Sequence, residues 1–68
     1  MQQEVEGSAP PLRLIRLAEV KRRTSVSTST IYRWMRAGKF PQSRTVGGYI
    51  AAWSEAEVEE FVRTVLNG

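Results

Sequence analysis

A small α+β fold, with two short helices, a β-hairpin and a closing helix, is predicted by three features of these 68 residues. One is the stretch Ser27 to Lys39, which reads as a helix with two unlike faces. Another is a pair of extended runs on either side of Gly47–Gly48. The last is a serine-capped apolar stripe running from Ser54 to about Leu66. A chain of this length is one domain at most and buries roughly 60% of the surface its unfolded form exposes. It has no cysteine and no histidine, so a disulfide staple and the usual zinc sets are excluded, and no metal or cofactor is expected. The apolar runs are too short to cross a bilayer, and the N-terminus lacks the basic start and apolar core of a signal peptide. The expectation is a cytoplasmic protein.

Met1–Pro11 has no apolar period and carries two prolines, a glycine and a serine. It reads as a disordered tail ahead of a domain spanning 12–68. Leu12–Arg16 is either a short strand or the lead-in to the first helix. Leu17–Arg23 reads as a short helix with Leu17, Val20 and Leu14 inward and Lys21, Arg22 and Arg23 on its exposed side. Thr24, Ser25 and Val26 make a turn, with Val26 pointing in.

The next helix starts at Ser27, whose hydroxyl can accept from a free N–H of the first turn. It stops at Gly38, where glycine takes the left-handed backbone at low cost, and Pro41 follows. At 100° per residue, Ile31, Trp34, Met35 and Ser27 fall on one side, and Ser29, Tyr32, Arg33 and Arg36 on the other. The second face holds two guanidiniums, a phenol and a hydroxyl, with no acid. Arginine can bond guanine edges bidentately and hydroxyls can reach phosphates, so this composition suits a helix that reads a DNA groove. A merely solvated basic face is the bland alternative. Two short helices joined by a tight turn form a helix-turn-helix candidate, the second helix entering the major groove.

Gln42–Val46 and Tyr49–Trp53 flank Gly47–Gly48 and read as a hairpin, with Val46, Ile50 and Trp53 inward. Beside a helix-turn-helix such a hairpin is a wing. Its candidates for DNA contact are Arg44 and Tyr49. Ser54-Glu55-Ala56-Glu57 is a capping box, and Val58, Phe61, Val62 and Val65 then recur as one apolar stripe. The fold class is therefore a small winged helix-turn-helix.

The net charge is +3, but nine basic residues lie between Leu12 and Thr45 against a single acid, Glu19, while Arg63 faces four glutamates beyond Val46. A polyanion would meet the middle of the chain and avoid its ends. The glutamates of the last helix lack any histidine, cysteine or partner base, so an enzyme is not expected.

Leu14-Ile15-Arg16-Leu17-Ala18-Glu19-Val20, then Thr24-Ser25-Val26-Ser27-Thr28-Ser29-Thr30-Ile31-Tyr32-Arg33, Gly38-Lys39-Phe40-Pro41, Val46-Gly47-Gly48 and Ala52-Trp53-Ser54-Glu55-Ala56-Glu57-Val58 resemble the AlpA family. The likeness covers about Leu12 to Val65. These are small regulators of phages and mobile elements with a winged helix similar to the MerR DNA-binding domain. The resemblance implies duplex DNA binding without catalysis. Members regulate transcription of integrase or prophage genes, and some are excisionases that bend attachment-site DNA for a recombinase. Ser27, Ser29, Thr30, Tyr32 and Arg33 match the family's recognition-helix motif. Thr28 and Tyr49 stand where arginine is common, and Ser25 where glycine is common.

The expected assignment puts Arg33 and Arg36 on base edges with Ser29 and Tyr32 beside them. Ser27 and the helix-terminal amides would hold a phosphate, with Thr28 a further recognition-helix contact, Lys21, Arg22, Arg23, Lys39 and Arg44 on the backbone and Tyr49 at the wing tip. A cognate integrase and head-to-tail copies on DNA are the expected partners besides the duplex, in a bacterial, nucleoid-associated setting. The rival from another class is a basic module docking on an acidic protein.

Overall fold

The structure, a computed structural model, describes residues 12–68; the disordered-tail reading of 1–11 lies outside the described residues. The order is β1 (Leu14–Ile15), α1 (Leu17–Thr24), α2 (Thr28–Arg36), β2 (Arg44–Val46), β3 (Ile50–Ser54) and α3 (Glu55–Asn67). The three strands form one antiparallel sheet in the order β1-β3-β2. The fold class is the small α+β architecture of a winged helix. The Leu12–Arg16 alternative resolves in favour of a strand, which pairs Leu14 with Ser54 and Ile15 with Trp53.

The core is Ile15, Val20, Ile31, Phe40, Trp53 and Val58, to which every helix contributes. Trp53 lies at its centre, fully buried, with its indole N–H donating to the Pro41 carbonyl oxygen at 3.1 Å. That bond removes the cost of burying the polar edge of the ring. Phe61 sits against Phe40 and Trp34, with ring centroids 4.7 and 6.4 Å away, and so binds the end of α2 to α3. Trp34 is half-buried there.

The ends of the helices follow from their terminal residues. Ser27 Oγ accepts from the Thr30 N–H and so caps α2, as expected. At the other end the Lys39 N–H donates to the Trp34 carbonyl and the Gly38 N–H to that of Met35. With Gly38 at φ 74°, this is the double bond pattern of a glycine-terminated helix. The helix therefore stops at Gly38 as expected, its last helical residue being Arg36. Ser54 Oγ accepts from the Glu57 N–H at 3.3 Å. The Glu57 carboxylate, however, turns away from the helix end to Arg44, so only half of the capping box forms.

Three inward assignments and one outward assignment are corrected by position. Leu14 is 54% exposed, because neighbours in a strand point to opposite faces and Ile15 takes the core. Val46 pairs with Ile50 next to the turn, beyond the core, and is exposed. Val65 is exposed because α3 outlasts the helix it packs on: 13 residues against the 8 of α1, about 20 Å against about 12 Å. Arg23, expected on the exposed side of α1, is half-buried against α3. The hairpin is also slightly different from expectation. The register Val46↔Ile50 leaves a three-residue loop, Gly47, Gly48 and Tyr49, with positive φ at both glycines.

Candidate nucleic-acid interface

The site is built on α2. Ile31 is fully buried and Tyr32, Trp34 and Met35 pack around the core. Docking those residues leaves Ser29, Arg33 and Arg36 as one exposed stripe at i, i+4 and i+7. Arg33 reaches back along the helix, its guanidinium 3.4 Å from Thr30 Oγ1, and the Ser27 hydroxyl donates to the same oxygen at 3.0 Å. A short polar ladder thus runs from the helix cap to the first arginine. Tyr32 departs from the face expected of it. Its ring stands edge-on to Trp53 at 6.1 Å, so much of the side chain belongs to the core and it flanks the stripe.

Charge is sorted across the molecule. Each of the five described glutamates is paired with an arginine. Glu19 holds Arg22 and Arg23, both at 2.6 Å. Glu55 and Glu59 reach Arg23 at 2.8 and 3.5 Å. Glu57 holds Arg44 in a two-bond fork, and Glu60 holds Arg63. The hydrogen bonds from Arg22 and Arg23 keep the Glu19 carboxyl below its ordinary range, and those from Arg44 do the same for Glu57. The guanidiniums of Arg23 and Arg44 are correspondingly pushed up.

Among the described residues, Arg13, Arg16, Lys21, Arg33, Arg36 and Lys39 have no carboxylate within 4.0 Å. Of the residues expected at DNA, the structure gathers Ser29, Arg33 and Arg36 on one stripe, with Ser27 and Thr28 at its N-terminal end and Lys39 just past its C-terminal end. Lys21 is exposed on α1. Arg22, Arg23 and Arg44 are tied to glutamates. Tyr49 stands out from the wing tip, 85% exposed. Arg13 and Arg16 are two further exposed cations, which the charge count includes without assigning them to the site. Their positions flanking β1 could have been read only once Leu14–Ile15 was known to join the sheet.

The chain matches the family described as prophage CP4-57 regulatory protein (AlpA) over residues 13–66. It belongs to the AlpA family. Two relatives are similar over most of the chain. One is the uncharacterized protein ORF88 of Enterobacteria phage P4, 41% identical over 50 residues, which are 74% of this chain and 57% of that protein. The other is the DNA-binding transcriptional activator AlpA of Escherichia coli K12, 32% identical over 57 residues, 75% of this chain and 81% of the activator. The chain thus spans little more than half the length of the phage relative. No solved structure matches it. The AlpA match includes β1, α1, α2, the hairpin and nearly all of α3, so every element that positions the α2 stripe lies within it. Among the described residues no helix is long and apolar enough to cross a membrane, and no group of acidic side chains could hold a metal ion.

Proposed function

We propose that this chain is a sequence-preferring duplex DNA-binding protein that regulates transcription for a prophage or integrative element. The observation that carries the reading is the α2 stripe of Ser29, Arg33 and Arg36. It stands free of acids while every described glutamate is engaged elsewhere. The name of the E. coli relative, a DNA-binding transcriptional activator, supports the same reading. In it, α2 enters the major groove, with Arg33 and Arg36 on base edges and Ser29 and Tyr32 beside them. The cap at Ser27 and Thr28 faces a phosphate, and Lys21 and Lys39 contact the flanking backbone. The role is recognition, not catalysis.

One module of this size buries only roughly 600–1,000 Å² of protein on DNA, which is little for tight specific binding. We therefore infer that several copies bind side by side, head to tail, or that a cognate integrase shares the site. A row of copies that curves the duplex would also make the protein an excisionase, and that role is compatible with regulation when an attachment site overlaps a promoter. The test is selection of bound duplexes from a random pool. Recovery of one motif, lost with Arg33→Ala, is the expected result. Equal recovery of all duplexes would sink the reading and favour a basic module for an acidic protein. Bending of an attachment-site fragment, with stimulated excision by the element's integrase, would establish the excisionase role.

A further inference from the structure

Arg23 and Arg44 are both held by glutamates, but only one of them can be released cheaply. Arg23 is half-buried and joins three carboxylates from two helices, so freeing it means parting α1 from α3. Arg44 lies on an edge strand, 54% exposed, and faces one carboxylate, Glu57, through bonds of 2.8 and 3.2 Å. A guanidinium fork fits a phosphate as it fits a carboxylate. Exposed pairs of this kind are weak and exchange readily.

The place of the pair adds to this. The Arg44 guanidinium also donates to the Gln42 carbonyl at 3.1 Å, and the Gln42 side chain donates to the Met35 carbonyl at 2.8 Å. Met35 is in the last turn of α2, next to Arg36. The fork is thus bound through two hydrogen bonds to the C-terminal end of the helix that carries the basic stripe.

We propose that Glu57 is an internal substitute for a DNA phosphate at Arg44. The wing's cation is masked in the free protein and becomes a backbone contact only when a phosphate beside the end of α2 displaces the carboxylate. This rests on the DNA-binding reading above. The exchange opposes binding at every site, and it is offset only where α2 is seated so that a phosphate meets the fork. Glu57 therefore favours specific over non-specific duplexes without touching either.

The test is a set of salt titrations by fluorescence anisotropy on a labelled duplex of arbitrary sequence. The proteins are wild type, Glu57→Gln, Arg44→Ala, the double variant, and Glu60→Gln as a matched charge control on the same helix. The Glu57→Gln change leaves the α3 cap in place, since Ser54 bonds the backbone N–H of Glu57 and not its side chain. Glu57→Gln should bind about two- to fivefold tighter, and its slope of log K against log salt should steepen by about 0.9, one phosphate contact. In the Arg44→Ala background the same substitution should leave the slope unchanged, and Glu60→Gln should leave it unchanged in the wild type. Unchanged or weaker binding by Glu57→Gln, a gain that persists without Arg44, or an equal slope change in Glu60→Gln would each overturn the proposal while wild type still binds. Absence of binding by wild type would overturn the DNA reading and this proposal with it.

Discussion

Arg23 and Arg33 are the same side chain on consecutive helices, and their surroundings make them different devices. Arg23 is half-buried on α1 and shared by Glu19, Glu55 and Glu59. Its charge is spent inside the molecule, fastening the first helix to the last. Arg33 is exposed on α2, with Thr30 Oγ1 at 3.4 Å and no carboxylate within ion-pair distance among the described residues. Its charge is left for something outside. The contrast extends to whole regions. Helices α1 and α3 carry all five described glutamates and neutralise Arg22, Arg23 and Arg63 among their own cations, whereas α2 carries no acid and its arginines face outward. Counting basic residues overstates the surface a polyanion would meet. Their partners in space define it.

The sharpest way to break this comparison is to take away what anchors α2. Ile31→Ala should cost about 2–5 kcal/mol, since the side chain is fully buried. In a domain whose whole stability is only about 5–15 kcal/mol, a urea melt should show the loss plainly, and DNA binding should fall with it. On the opposite face of the same helix, Arg33→Ala should leave the melt unchanged but weaken binding by about 1–3 kcal/mol and relax preference at one base pair. Arg23→Ala should do the reverse. Its melting midpoint should drop, while duplex affinity, measured where the variant is folded, should hold.

Smaller effects sharpen the picture. Ser25 ends α1 in the left-handed region, at φ 62°, which a side chain disfavours. Ser25→Gly should raise stability by of the order of 1 kcal/mol, read as a higher urea midpoint with no change in affinity. The ion pairs also predict a pH dependence. Glu19 and Glu57 are held below the ordinary carboxylate value by their arginines. Their contribution is therefore present above the unfolded-state value, near 4.5, and is lost as pH falls through the lower folded values. Urea midpoints should decline modestly from pH 5 toward pH 3, and Arg44→Ala, which removes the Glu57 part, should decline less.

Much of this was legible in the sequence because it depends on neighbours along the chain. The caps at Ser27 and Ser54, the stop at Gly38, the turn at Gly47–Gly48 and the buried positions Val20, Ile31, Trp53 and Val58 are all local signals. So was the acid-free stripe of α2. What could not be read depends on distant partners. Tyr32 sits beside the stripe by angle, yet its ring is drawn to Trp53. Arg23 and Arg44 count as free cations until α3 is packed against α1 and the wing. Val65 continues a faultless stripe, but α1 is too short to cover it. Leu14 and Ile15 exchange faces according to a strand pairing that two residues alone do not announce.

The central claim is that the unpaired cations around α2, and not the Arg23 cation fastened between α1 and α3, carry DNA binding. It is tested most directly by salt titration of duplex binding for wild type, Arg33→Ala and Arg23→Ala in parallel. With roughly five phosphates neutralised, the wild-type slope of log K against log salt should be about −4.5. Arg33→Ala should bind weakly at every salt concentration, and Arg23→Ala should overlay the wild type. Equal losses in the two variants, or a flat and weak response in all three proteins, would contradict the account.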